Sequence, residues 1–179
     1  VGALDAGFEP FSVTASSDPR KIAYAARSDS TGLGLIEADA SRNNGTVRNL
    51  AMHLGSQTDL FDVNTIVAVA ITPDLSYAFV SGAYDYVPAT IVPGMRAYFD
   101  CGSNIGIVRD PFGPRPELVA ATRPIPDGFI DNLVLSPDGR YLYAGFRGTG
   151  SVFVYDADAM LAEFENNESS LVLRDYMTR

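Results

Sequence analysis

The chain has one cysteine, Cys101, and one histidine, His53, in 179 residues. A lone cysteine excludes an internal disulfide framework and leaves a zinc or iron–sulfur centre short of thiolates. A lone histidine leaves little from which to build a His-based metal centre or a His-containing triad. Basic residues are also scarce, with 13 Lys and Arg against 22 Asp and Glu and a net charge of −9. Nucleic-acid binding needs a clustered basic excess, so that class of partner is not expected. The longest strongly apolar stretch, Ile66 to Ile71, falls far short of the roughly 18 to 20 residues that cross a bilayer. No membrane span is expected. Val1–Gly7 has neither a basic n-region nor an apolar h-region, and the chain does not begin with Met. We expect an excised or processed piece.

What is present is a repeat. Leu133-Val134-Leu135, Ser136-Pro137-Asp138-Gly139-Arg140 and Tyr141-Leu142-Tyr143-Ala144-Gly145 form the clearest copy, followed by a Gly-rich turn and Ser151-Val152-Phe153-Val154-Tyr155-Asp156. Val69-Ala70-Ile71, Thr72-Pro73-Asp74-Leu75-Ser76 and Tyr77-Ala78-Phe79-Val80-Ser81-Gly82 repeat its opening, and Val13-Thr14-Ala15, Ser16-Ser17-Asp18-Pro19-Arg20 and Ile22-Ala23-Tyr24-Ala25 form a degenerate copy. Apolar and small or polar residues alternate with period two, and Pro, Gly, Asp or Asn punctuates each break. That pattern predicts short antiparallel strands. In the turn, Pro presets φ, Asp can bond its own backbone and Gly takes positive φ. A third strand is expected at Leu33–Ile36, Ile105–Val108 and Val152–Tyr155, and a fourth at Thr46–Ala51, Glu117–Thr122 and Leu171–Tyr176. Ala159 to Glu165 has helical spacing behind Asp158, which predicts a short inserted helix capped there.

Four antiparallel strands per unit predict an all-β chain of about three β-propeller blades. The expected bounds are 8–52, 64–123 with a long insertion at 83–103, and 130–179. A β-sandwich also spaces short strands regularly, but a turn motif at one fixed place per unit favours the propeller.

The segment Leu135–Ala144, continued by Gly148–Asp156, resembles the YVTN-type β-propeller repeat of bacterial and archaeal surface proteins, which is similar to blades of lactonase-like propellers. The resemblance implies a blade and a secreted or cell-surface setting, extracellular or periplasmic, and carries over no catalytic residue. Propellers close with 4 to 8 blades, so three make an incomplete ring with apolar end faces. Either the rest of a longer chain or another copy of this chain is expected to complete it.

Ligands of propellers sit on the face formed by the connections from strand two to three and from strand four to the next strand one. Ala83–Ser103 is the longest of these, and long loops tend to be functional. Its Tyr84, Asp85, Tyr86, Arg96 and Tyr98, with Arg147 from Gly145–Gly150, supply flat area, hydroxyls and charge suited to a protein or carbohydrate ligand. The competing reading is that these tyrosines cover a blade edge, as tyrosines commonly do in all-β proteins. Cys101 lacks an evident basic partner, which makes an inert thiol the better reading. Gly145–Gly150 is followed by strand pattern and not by the helix of a phosphate loop. Asn44-Gly45-Thr46 and Asn167-Glu168-Ser169 fit the glycosylation sequon, which matters only in a secretory pathway.

The functional expectation is a non-catalytic scaffold or binding module without catalytic or metal residues. A lactonase-like or other hydrolytic propeller acting on a sugar-derived substrate is the alternative. Asp39–Gly45 carries oxygen side chains at alternate positions, as a calcium loop would, but lacks the glycine at the sixth position and the terminal Glu. It reads as a hairpin turn. No cofactor is therefore expected, calcium being the one that the acidic charge permits. Titrating a chelator into the protein should leave its Tm unchanged, because only a metal that binds the folded state adds stability; a fall in Tm reversed by calcium would reinstate the ion.

Overall fold

In the computed structural model, the described residues are 9–27, 32–39, 44–50, 65–86, 100–122, 125–126, 129–147, 150–166 and 172–173. The first sheet is β1 (Glu9–Ala15), β2 (Lys21–Arg27), β3 (Gly32–Asp39) and β4 (Asn44–Leu50), an antiparallel meander in that order. The second holds β5 (Thr65–Ile71), β6 (Tyr77–Tyr86), β7 (Asp100–Arg109) and β8 (Glu117–Thr122), with β9 (Ile125–Pro126) paired to β7. The third is β10 (Phe129–Leu135), β11 (Tyr141–Arg147) and β12 (Ser151–Asp156), after which come α1 (Ala157–Asn166) and β13 (Val172–Leu173). The strands β1, β5 and β10 lie side by side, β5 in the middle.

The three first strands share one irregularity. Pairing with the second strand slips at Phe11, at Val67 and at Asp131. Each bulge stands seven residues before the turn aspartate of its own copy, Asp18, Asp74 or Asp138. A bulge adds one residue, bends the strand and sharpens its twist. It also resets which residues face which way. Ile66 and Val69, three apart, both pack towards the first sheet, while Ala68 and Ala70 pack towards the third.

The second sheet is buried on both faces, which is why β5 reads as a continuous apolar run and not as alternation. Towards the first sheet it presents Ile66, Val69, Ile71, Ala78, Val80 and Val108, packed on Ala23 and Ala25. Towards the third it presents Phe79, Ile105 and Ile107 with Ala68 and Ala70, packed with Ile130, Leu133, Leu142 and Phe146. Buried hydroxyls cross these interfaces. Ser81, fully buried, accepts the Ala68 N–H (3.0 Å) and donates to the Ile130 carbonyl (3.0 Å). Ser103 accepts the Ile130 N–H at 2.9 Å. The main chain of one residue at the third bulge is thereby held on both sides by the second sheet. On the other interface Thr14 donates to the Val69 carbonyl (2.6 Å) and Ser17 to the Pro73 carbonyl (2.7 Å). Arg48 donates to the Gly113 (2.7 Å) and Pro111 (3.3 Å) carbonyls of the β7–β8 turn, and Lys21 sits 5.4 Å from the Phe112 ring centre.

The structure differs from expectation in four places. β6 and β7 run through Tyr86 and from Asp100, so both ends of the supposed 83–103 loop, 83–86 and 100–103, are paired strand whose backbone groups bond across the ladder, and 87–99 lie outside the described residues. Arg147 closes β11 and is not a loop residue. The helix cap is Asp156, whose carboxylate accepts the Ala159 N–H at 3.0 Å; Asp158 lies in the first turn, where negative charge meets the helix dipole. The strand expected at Leu171–Tyr176 is β13, paired parallel to β8 through Val172↔Ala121 and Leu173↔Thr122. It covers the outer edge of the second sheet, not the third, because α1 carries the chain away from β12 and an open β8 edge offers unpaired backbone groups.

Ser81→Ala leaves the Ala68 N–H and the Ile130 carbonyl without partners away from water. The expected loss is about 1–3 kcal/mol, read from urea unfolding. Ser103→Ala should be smaller and non-additive with it, since both act on Ile130; two neutral and additive variants would contradict the interlock.

Candidate functional site

The turn ends of the three sheets share one construction. In each copy the turn aspartate accepts the backbone N–H two residues on: Asp18 from Arg20 (3.0 Å), Asp74 from Ser76 (3.1 Å) and Asp138 from Arg140 (3.2 Å). The hairpin closes from Ser16, Thr72 and Ser136 N–H to the carbonyls of Lys21, Tyr77 and Tyr141. Gly139 has φ +78°, and a Cβ there would lie 3.0 Å from Pro73 Cδ, so the turns of sheets two and three touch. Leu75 takes the same place in the second copy with φ +67°. That conformation costs an L-residue about 1–2 kcal/mol, and Leu75 offsets it by packing on the core between sheets one and two. Pro19 in the first copy cannot adopt positive φ, so its turn bonds differently, from Lys21 N–H to the Asp18 carbonyl at 2.9 Å.

These aspartates have displaced ionisation. The Arg20 side chain and then its N–H hold Asp18 below the usual aspartate range. The hydroxyls of Ser76 and then Thr72, at 2.5 and 2.6 Å, do so for Asp74. The Ser136 hydroxyl, then the Arg140 N–H, do so for Asp138. Tyr77 is pushed up, first by burial and then by Glu165 of α1, whose carboxylate accepts its hydroxyl at 3.2 Å. A cleft of about 260 Å³ runs here between the second and third turns and α1, lined by Asp74, Tyr77, Asp138, Asp158 and Glu165 among others. Its displaced groups each have a local structural partner. Tyr77 also meets Phe164 edge-on at 6.2 Å, which seats the helix.

The opposite, loop end brings together some of the residues expected there. Arg147 pairs with Asp131 (3.1 Å) and lies over the Phe129 ring at 5.4 Å. Asp131 is the bulge residue of β10. Beside it the β6–β7 hairpin continues three pairs beyond Ala83↔Ser103, as Tyr84↔Gly102, Asp85↔Cys101 and Tyr86↔Asp100. Its far side is braced by β9 through Ser103↔Ile125 and Gly102↔Pro126. The Ser103 bond to Ile130 sets the base of this hairpin next to Phe129 and Asp131. Arg96, Tyr98 and His53 lie outside the described residues. The exposed Arg147 face can pair with a carboxylate or accept stacking, and the Asp131 pair fixes its position more than it adds stability. Ser81 and Ser103 carry no role in the sequence pattern, although a single serine ending the apolar run Ala78-Phe79-Val80 is a signal of a buried hydroxyl. Tyr77 and Glu165, 88 positions apart, left none.

Three mainly antiparallel sheets set face to face, with their first strands side by side along one line, define β-propeller blades, here three that fit an incomplete ring or part of a larger propeller. Among the described residues no helix is long and apolar enough to cross a membrane. No known family and no curated protein matches the sequence. Among solved structures, hydrazine synthase of Kuenenia stuttgartiensis is similar over 95% of this chain with 21% identity and a TM-score of 0.63. The chain spans 49% of that protein's chain, about half its length, and at this identity the likeness is one of fold. The Cps50 (Swd1) β-propeller domain of Myceliophthora thermophila aligns over 90% of this chain and 56% of its own, with 10% identity and a TM-score of 0.31.

The turn aspartates hold protons less tightly folded than unfolded, so they favour the folded state above the ordinary aspartate value of about 3.9. That contribution disappears as pH falls through the lower folded values. Asp74→Asn and Asp138→Asn, which keep an acceptor oxygen and remove the charge, should flatten the acid limb of the urea midpoint measured from neutral pH to pH ~2.5. An unchanged limb would mean that other carboxylates govern acid unfolding.

Proposed function

We propose that the chain is a non-catalytic scaffold or binding module, built of YVTN-type blades, within a larger secreted or cell-surface protein. Its setting is extracellular or periplasmic. The ligand, a protein or carbohydrate surface, is met at the loop end by Tyr84, Asp85, Tyr86, Arg96, Tyr98 and Arg147. The observation that carries the reading is the exposed Arg147 guanidinium, which Asp131 holds beside the Phe129 ring at the loop end. The displaced ionisations of Asp18, Asp74, Tyr77 and Asp138 each have a structural cause at the turn end. The Asp131 contact positions Arg147 and leaves the plane of its guanidinium exposed beside an aromatic ring. Such a pair suits recognition of acidic or hydroxylated surfaces. The reading requires no cofactor.

The test has two readouts. On an array of neutral and uronic-acid oligosaccharides and acidic peptides, Arg147→Ala should lose roughly tenfold or more of the bound signal, as for a charge-assisted hydrogen bond. Glucono-δ-lactone followed in a pH-stat should open at its uncatalysed rate. An accelerated opening that Asp131→Asn abolishes would replace the scaffold with the lactonase-like alternative.

A further inference from the structure

The loop-end residues do not share one face. Ala78 and Val80 of β6 pack towards blade 1, and Phe79 and Ser81 towards blade 3. The β6–β7 ladder is regular from Tyr77↔Arg109 to Tyr86↔Asp100, so this alternation carries through to its tip. Positions 84 and 86 therefore fall on the blade-1 face with Gly82, Asp100 and Gly102, and Asp85 falls on the blade-3 face with Cys101 and Ser103. Arg147 lies on neither. Leu142, Ala144 and Phe146 of β11 pack towards blade 2, which puts the alternate set, Tyr143, Gly145 and Arg147, on the far side of blade 3.

The tip of this ladder also stands clear of its neighbours. Arg27, Ala83 and Arg147 each come nine residues after the turn aspartate of their own copy. β2 ends at Arg27 and β11 at Arg147, whereas β6 continues to Tyr86. Four residues join β2 to β3 and three join β11 to β12. Blade 2 instead adds three further pairs beyond Ala83↔Ser103, about 10 Å of ladder at ~3.3 Å per residue. Both flanks of this projection are set by blades within the chain.

We propose that the blade-1 face of the projection is a carbohydrate subsite, taking a neutral sugar chain on Tyr84 and Tyr86. The inference rests on the loop-end reading above and names the ligand class for one side of that end. Positions 82, 84, 86, 100 and 102 supply Gly, Tyr, Tyr, Asp and Gly, with no aliphatic residue among them. The core of a protein–protein contact is largely apolar and depleted of charge, whereas a sugar offers a C–H face to an aromatic ring and hydroxyls to an acceptor. Tyrosine brings the ring, and Asp100, the partner of Tyr86 in the ladder, brings the acceptor. Gly82, two residues before Tyr84, and Gly102, opposite it, add no side chain to the face there, which leaves room for a flat ring. Tyr84 and Tyr86 stand about 7 Å apart along the strand, so two linked rings of one chain can rest on them together. A carboxylate in the subsite and a net charge of −9 disfavour an anionic chain.

The test is calorimetric titration of the full chain with neutral gluco-, manno- and galacto-configured tetrasaccharides, beside tetragalacturonate and acidic peptides. A neutral tetrasaccharide should bind. Tyr84→Ala and Tyr86→Ala should each weaken it roughly tenfold, while Tyr84→Phe and Tyr86→Phe, which keep the ring, should retain most of the affinity. Gly102→Val, which adds a side chain opposite Tyr84, should weaken it as well. Circular dichroism should match wild type throughout, because these positions stand beyond Thr65↔Ala83, the last pair that β6 shares with β5. Binding confined to acidic peptides or tetragalacturonate, or neutral-sugar binding that both alanine variants leave intact, would overturn the subsite and leave the loop-end reading standing. A titration series in which nothing binds would overturn both.

Discussion

The structure depends on how buried backbone is satisfied where the inner strands bulge. A bulge breaks the regular ladder, and an unpaired N–H or carbonyl at a dry interface costs as much as a lost hydrogen bond. Ser81 solves this for blade 2 by accepting the Ala68 N–H and donating its own hydroxyl to the Ile130 carbonyl, beside the next bulge. Ser103 completes the circuit. The bulge therefore turns the strand, alternates the packing faces and supplies polar groups that join neighbouring blades. Apolar burial alone is non-directional; these hydroxyl bonds give the stack its register.

The two interfaces within the arc are built from different chemistry. Between blades 2 and 3 the core is aromatic and aliphatic, sealed by α1 through Met160 and Phe164. Between blades 1 and 2 the described core is aliphatic, and at its periphery Arg48 and Lys21 clasp the Asp110–Arg115 turn. The turn aspartates serve their own backbone, so their acidity is a structural property. The loop end holds a cation whose pairing leaves its plane exposed, and that end is where recognition chemistry can reside.

Much of this was legible in the residues. β8 spans Glu117–Thr122 as its pattern indicates, and the paired faces of β5 follow from its unbroken apolar run. The Pro-Asp-Gly signature marks a turn because each residue type has its own conformational reason to be there. The candidate site was legible only in part. Arg147 does sit at the loop end, but its partner Asp131 and its ring Phe129 follow from cross-strand register, not from spacing. The extension of β6 and β7 was hidden because Tyr84-Asp85-Tyr86 lacks the apolar alternation of a half-buried strand.

By itself the sequence determined the repeat, the turn chemistry and the alternating faces, since these follow from local torsional preference and from solvent avoidance by each side chain. Tertiary structure alone decided where β13 docks, which carboxylate caps α1 and how Tyr77 meets Glu165. Those outcomes depend on which surfaces the chain brings together after the strands exist. A strand edge carries no mark of its partner until the neighbouring blade is in place.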